Sequence, residues 1–466
     1  MSKPTPLSGF PELLPAQRFV EQHVIDSLRR TFELHGFAGL ETRAVEPMDQ
    51  LLRKGETSKE VYVLRRLQET SDAAGSDTGM GLHFDLTVPF ARYVLENAGK
   101  LEFPFRRYQI QKAWRGERPQ EGRYREFTQA DIDIVGRDQL AFHHDVEVAR
   151  VMAEAMAALP VPPLRLQVNN RKLIQGFYAG IGVRNVEAAM RVIDKLDKVS
   201  AGAVATMLVE EAGLTAEQAS ACLRLAEIRS TETSFVDQVR ALGVKHELLD
   251  EGLDELAAVL DGCASVNSDR VTVEADLRIA RGLDYYTGTV FETVMAGFES
   301  LGSICSGGRY DALASDGRNT YPGVGISLGV SRMLVPLLAS GRLSARRSVP
   351  SAVLVALVDE ASRGTSDEIA QRLRARGIPT EVAASAQKFG KQIRYAERRG
   401  IPFVWFPGAD GAPDQVKDIR SGDQVDADPD GWHPPAEDLR PEVSTSSTTR
   451  ETGSTTLSTS NEEQKQ

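Results

Sequence analysis

The sequence predicts an α+β chain: an antiparallel sheet flanked by helices, an inserted helical domain and a small C-terminal α/β domain. Three observations carry this prediction. Two strand-like runs, 105–115 and 125–135, read as a long-looped antiparallel hairpin, residues 138–260 are dominated by helical periodicity, and strand alternates with helix after Pro350. At 466 residues the chain has room for about three domains of ordinary size. Its 41% hydrophobic and 26% charged composition excludes disorder of the chain as a whole.

After Pro15, Val20, Val24, Leu28 and Phe32 recur every four residues, and the pattern stops at His35-Gly36, where glycine suits a helix C-cap. That is the first helix. Residues 37–47 read as extended, with Pro47 tolerated at a strand end, and 68–81 as a polar loop. In the hairpin, alternation puts Phe127, Gln129, Asp131 and Asp133 on one face and Thr128, Ala130, Ile132 and Ile134 on the other. By the same parity Arg107, Gln109, Gln111 and Arg115 share a face. Between 138 and 260 only LRLQVNN, 164–170, reads as a strand, and glycine-broken amphipathic segments form the inserted helical domain. Extended patterns return at 271–295 and 304–311, and GVGISLGVSRM, 323–333, runs from a glycine-rich strand into a helix.

The implied boundaries are 1–169 and 268–340 for the two parts of the core, 170–267 for the insertion and 350–433 for the α/β domain. From 444 to 460, 13 of 17 residues are Ser or Thr, too polar to offset ordering entropy, so 434–466 is expected to be a disordered tail whose deletion leaves activity intact.

The net charge of −11 means that a polyanionic partner must be held by local basic patches. Two exist. Arg106 to Arg125 holds seven Lys/Arg against two acids, and Lys388, Lys391, Arg394 and Arg398 follow one helical face. Cys222, Cys263 and Cys305 lie far apart without a metal or disulfide spacing, no signal peptide or apolar run of membrane-spanning length occurs, and a cytoplasmic protein is expected. The glycines at 323, 325 and 329 do not match a dinucleotide fingerprint, and P-loop and H-E-x-x-H motifs are lacking, so no protein-ligated metal is expected. Cationic groups beside Gln129, Asp131 and Asp133 suit a zwitterion held next to a phosphate.

With these residues in view the chain resembles the histidyl-tRNA synthetases, a class II aminoacyl-tRNA synthetase family. RAVEPMDQLLRKGE resembles motif 1, AWRGERPQEGRYREFTQADIDIVG motif 2 and GVGISLGVSRM motif 3, while RGLDYYTG (281–288) and SICSGGRYD resemble the two histidine-specific signatures. DLTVPFARYV (85–94) is similar to one branch of the family. The resemblance reaches to about residue 433 and implies a histidine-tRNA ligase with a C-terminal anticodon-binding domain. ATP would be the co-substrate, Mg²⁺ would arrive with it, tRNA(His) would be the acceptor, and the chain would form a homodimer through motif 1.

Residue by residue, the resemblance implies that Arg115, Glu117, Arg123 and Arg332 hold ATP, with Arg115 on the α-phosphate. Asp85, Thr87 and Gln129 would meet the substrate ammonium. Asp133 and Tyr286 would take the two imidazole nitrogens, with Tyr285 shaping the pocket, and Arg281 would neutralise charge at the α-phosphate and substrate carboxylate. Lys388, Lys391, Arg394 and Arg398 would contact tRNA. Replacing Arg281 with alanine is expected to slow adenylate formation by on the order of 10², read as histidine-dependent pyrophosphate exchange. Two rivals share the core fold: a regulatory subunit of ATP phosphoribosyltransferase, which usually lacks the anticodon domain and an intact RGLDYY-type loop, and a synthetase for another amino acid, against which Asp133 and Tyr286 argue.

Overall fold

The computed structural model describes residues 4–52, 60–66, 79–280, 286–311, 314–315, 317–409 and 411–445. Its largest element is a nine-stranded sheet in the order Ala38–Gly39, Phe105–Trp114, Glu126–Val135, Gly323–Gly329, Cys305–Tyr310, Tyr286–Met295, Leu164–Asn170, Val271–Asp276, Arg229–Ser230. The six neighbours from Phe105–Trp114 to Leu164–Asn170 pair antiparallel, and Leu164–Asn170 pairs parallel with Val271–Asp276. A parallel pair needs a crossover, and the inserted helices supply it.

Alternation gives this sheet one apolar and one polar face. Ala130, Ile132, Ile134, Val324, Ile326 and Leu328 are buried in one cluster with the helices Pro15–Leu34, His143–Ala157 and Val330–Ala339. Val20, Val24, Leu28 and Phe32 of the first helix are all fully buried there, and Gly36 takes φ +76° just beyond the helix end. The cluster continues without a break into the insertion through Leu173, Ile174 and Phe177 of Arg171–Gly180 and Leu253, Leu256 and Leu260 of Glu247–Cys263. These two helices touch backbone to backbone: a Cβ on Gly176 would lie 2.2 Å from Leu249 N, and one on Gly252 2.2 Å from Leu173 N.

The C-terminal domain is a five-stranded sheet, Thr380–Val382, Val353–Val355, Phe403–Phe406, Gln415–Asp418, Gln424–Asp426, with the first three strands parallel. Its two faces carry separate cores, one under Arg363–Ala375 and one under the basic helix Phe389–Arg399.

Two expectations need correction. The stretch 68–81 is not loop to its end, because Met80–Leu82 pairs with Val45–Pro47. Nor does order end at 433: Ala436–Asp438 forms a helical turn, both oxygens of Asp438 accept from Arg420 at 2.7 and 2.8 Å, and Val443–Thr445 pairs antiparallel with Leu343–Ala345. The Ser/Thr content hid this strand, since only Val443 brings it an apolar anchor against the main core. Residues 446–466 lie outside the described residues. A chain ending at Thr445 is expected to melt and charge tRNA as the full chain does. One ending at His433 is expected to lose on the order of 2 kcal/mol in a denaturant titration.

Candidate active site

The polar face of the nine-stranded sheet holds the site. Antiparallel register sets Asp133 between Arg107 on one neighbouring strand and Gly325 on the other, and sets Gly325 beside Gly308. A Cβ at Gly325 would lie 2.1 Å from Asp133 Oδ1, and one at Gly308 2.9 Å from the ring of Tyr286. The two glycines therefore clear a floor between the Asp133 carboxylate and the Tyr286 ring, which suits a flat polar ligand. Asp133 is fixed at both oxygens: Tyr310 Oη donates to Oδ1 at 2.8 Å, and the Arg107 guanidinium sits 2.8 Å from Oδ2. Arg107 is wholly buried and stacks on Phe90 at 4.3 Å.

One row along, Gln109, Asp131, Ser327 and Ser306 are register partners. The Ser327 hydroxyl donates to Asp131 Oδ1 and accepts from Gln129 Nε2 at 2.7 Å. Burial, reinforced by the Asp133 charge and opposed by Arg107, pushes the Asp131 carboxyl up to about 7. Among the described residues Gln129 Oε1 is buried with no hydrogen-bond partner, although Gln129 lines an open cleft.

That cleft, about 200 Å³ in volume, is walled by Arg115, Glu117, Arg123, Phe127, Gln129 and Arg332. Arg115 Nε donates to the Phe84 carbonyl at 3.0 Å and its guanidinium lies 5.1 Å from the Phe127 ring centroid, so the plane of the fork is set by both contacts. Arg123 pairs with Glu117 at 3.2 Å across the hairpin loop. Arg332 stands in the first turn of Val330–Ala339 and donates to the Leu301 carbonyl.

Asp85 is buried and caps Thr87–Asn97 by accepting from Val88 N at 3.0 Å, and Thr87 is the first residue of that helix. The Asp85 charge also adds to the upward push on Asp131.

The structure thus brings Arg115, Glu117, Arg123, Gln129 and Arg332 to one cleft. It sets Asp133 and Tyr286 together four residues further along the same strand face. Arg281 and Tyr285 lie outside the described residues. Much of the basic excess in the hairpin is neutralised internally, Arg106 by Glu147 at 3.1 Å, Lys112 by Glu126 and Arg107 by Asp133. Arg309 of the SICSGGRYD segment faces the opposite side, where it pins the helix His143–Ala157 through Asp145 at 2.7 Å.

Sequence reading missed Tyr310, Ser327 and Arg107 as parts of the site. Parity within GGRYD would have placed Tyr310 beside Gly308, but the pairing of Arg107 with Asp133 depends on cross-strand register. In the C-terminal domain Lys388, Lys391, Arg394 and Arg398 are all exposed. The last three edge a cleft of about 430 Å³ with Tyr395, and Gln392 ties their helix to Leu357 through hydrogen bonds of 2.8 and 2.9 Å.

Comparisons with known proteins agree with this geometry. Residues 9–333 match the family model described as histidyl-tRNA synthetase, and 352–428 match an anticodon binding domain. The histidine-tRNA ligase of Cutibacterium acnes is 59% identical, the match covering 95% of this chain and 99% of that protein, and that of Micrococcus luteus is 60% identical over the same shares. The crystal structure of histidyl-tRNA synthetase from Nostoc superposes with a TM-score of 0.81 at 34% identity, covering 92% of this chain and 97% of the other. A Bacillus halodurans structure described as an ATP phosphoribosyltransferase regulatory subunit/histidyl-tRNA synthetase shares the fold, with a TM-score of 0.69, at only 19% identity. With a family model matched over 9–333 and relatives about 60% identical across nearly their whole length, the chain belongs to the histidyl-tRNA synthetase family.

Proposed function

We propose that the histidine-tRNA ligase activity of this chain runs on the polar face of its main sheet, with ATP in the Arg115 cleft and L-histidine on the Gly308/Gly325 floor. The observation that carries this reading is the sharing of one strand face by Gln129, which lines the cleft, and Asp133, which lines the floor. Strand spacing makes these two about 13 Å apart, a span that an aminoacyl-adenylate can bridge.

Asp133 and Tyr286 take the two ring nitrogens of the substrate, Gln129 with Asp85 and Thr87 takes its ammonium, and Tyr285 closes the pocket. Arg115 holds the α-phosphate, Arg123 and Arg332 hold the outer phosphates, and Arg281 bridges the α-phosphate and the substrate carboxylate. Glu117 holds the nucleotide with these arginines, and Mg²⁺ bound with ATP would supply further charge neutralisation to the phosphates. A carboxylate oxygen attacks the α-phosphorus in line and pyrophosphate leaves. The terminal ribose hydroxyl of tRNA(His) then attacks the activated carbonyl and AMP leaves. Neither step asks the protein for strong acid-base chemistry, so positioning and charge neutralisation supply most of the rate.

The decisive experiment is pyrophosphate exchange with each amino acid in turn: exchange with histidine alone is expected, and exchange with a different amino acid, or none, overturns the reading.

The basic helix Phe389–Arg399 contacts the anticodon arm. Charge reversal at Lys391 and Arg394 is expected to raise the KM for tRNA at least tenfold and to flatten its salt dependence, while pyrophosphate exchange stays unchanged. Supporting a homodimer, Leu52 of the motif 1 segment is exposed, as are Val63 and Met80 on the two strands that form a small sheet with Val45–Pro47. Among the described residues no helix is long and apolar enough to cross a membrane, and the proposed place of action is the cytoplasm.

A further inference from the structure

The Ser327 hydroxyl has one proton, and it is directed at Asp131. Its remaining contact, with the Gln129 side chain at 2.7 Å, must therefore use a lone pair. Only the amide nitrogen of Gln129 can satisfy that contact, so the amide oxygen is forced to the other side. It is buried with no partner among the described residues, on a side chain that lines the cleft. A buried carbonyl oxygen left unpaired is unfavourable by about 1–3 kcal/mol, and a donor arriving with a ligand relieves it.

We propose that Asp131 and Ser327 are positioning residues that set the direction of the Gln129 amide, so that the pocket presents a carbonyl oxygen to the substrate ammonium and rejects substrates without that donor. This rests on the reading that Gln129 meets the ammonium. Asp131 is 2% exposed and does not line the cleft, whereas Ser327 lies in its wall beside Gln129. With Asp131 ionised, above the pH of about 7 to which its carboxyl is pushed, the relay runs in one sense only: Gln129 N–H to Ser327 Oγ, Ser327 O–H to carboxylate. Without the carboxylate, the Ser327 proton is free to turn to Gln129, the amide can rotate by half a turn, and an N–H donor then faces the cationic ammonium.

The test is steady-state pyrophosphate exchange on the full chain, with imidazole propionate, which keeps the ring and carboxylate of histidine but lacks the ammonium, as a competitive probe. In Asp131→Ala and in Ser327→Ala the KM for histidine should rise about tenfold, while the KM for ATP and the inhibition constant of the probe stay within twofold. In a Gln129→Ala background neither substitution should raise the histidine KM further.

An unchanged histidine KM in Ser327→Ala overturns the relay. A parallel rise of all three constants also overturns it, because it marks general damage to the pocket, and so does full additivity with Gln129→Ala. Should Asp131→Ala fail to fold, Ser327→Ala alone decides. If instead Gln129→Ala leaves the histidine KM unaltered in an enzyme that still exchanges with histidine, the underlying assignment of Gln129 falls, and that result is distinct from failure of the relay.

Discussion

Asp133→Asn is expected to lower kcat/KM for histidine-dependent pyrophosphate exchange by on the order of 10³, although the substitution barely changes volume. The carboxylate offers acceptors on both sides, one oxygen beside Arg107 and the other receiving Tyr310 Oη at 2.8 Å. An asparagine has a single acceptor oxygen. Turned toward Tyr310, it would aim two N–H donors at the buried Arg107 cation. Turned toward Arg107, it presents those donors to the phenol and to the imidazole N–H, where an acceptor is required.

Asp133→Ala should add a folding defect to the same loss. It leaves Arg107, which has no exposed surface, without its 2.8 Å counter-ion and with only Asp131 at 3.9 Å, and breaking a buried pair is unfavourable by up to about 3–5 kcal/mol. Urea titration of both variants separates the two effects, and a Asp133→Asn enzyme with near-normal exchange would remove Asp133 from substrate recognition.

Arg115→Ala is the second large effect expected, a fall of about 10² to 10³ in the rate of adenylate formation, equivalent to about 2.7–4 kcal/mol of transition-state stabilisation. Little of this should come from misfolding. Arg115 lies at the end of the hairpin strand rather than in the core, and its structural ties are one hydrogen bond to the Phe84 carbonyl and the stack on Phe127. Arg115→Lys should recover little, since a point ammonium can neither grip two phosphate oxygens side by side nor stack as a plane on Phe127. Pre-steady-state quench of ATP and histidine mixed with enzyme reads the step directly, and a loss confined to the later transfer to tRNA would contradict the assignment.

Both effects were partly legible in the sequence. Strand parity placed Gln129, Asp131 and Asp133 on one face of the hairpin and Arg107 with Arg115 on its partner, and the structure keeps that parity. Parity says nothing of register. That Arg107 stands opposite Asp133 depends on which residues flank the loop 116–124, and this pairing converts an apparent anion-binding arginine into a buried counter-ion.

The glycine-rich run 323–329 was readable as a strand leading into a helix, but its spacing did not reveal why glycine stands at 323, 325 and 329. Gly323 meets the Tyr310 ring, Gly325 the Asp133 carboxylate and Gly329 the Arg332 stem, and each neighbour comes from a different part of the chain. Likewise the strand Val443–Thr445 gains its stability from Leu343–Ala345, 100 residues earlier, and a window of local composition could see only serine and threonine.

That last pairing has a mechanical consequence. The C-terminal module is entered just after Ala345 and left just before Val443, and these two stalks are zipped side by side. A module hung from one stalk can swivel, whereas one hung from two clasped stalks can turn only by unzipping them. The pair acts as a clasp at the root of the module, and its swivel against the main sheet is opposed by the three pairings Leu343–Thr445, Ser344–Ser444 and Ala345–Val443.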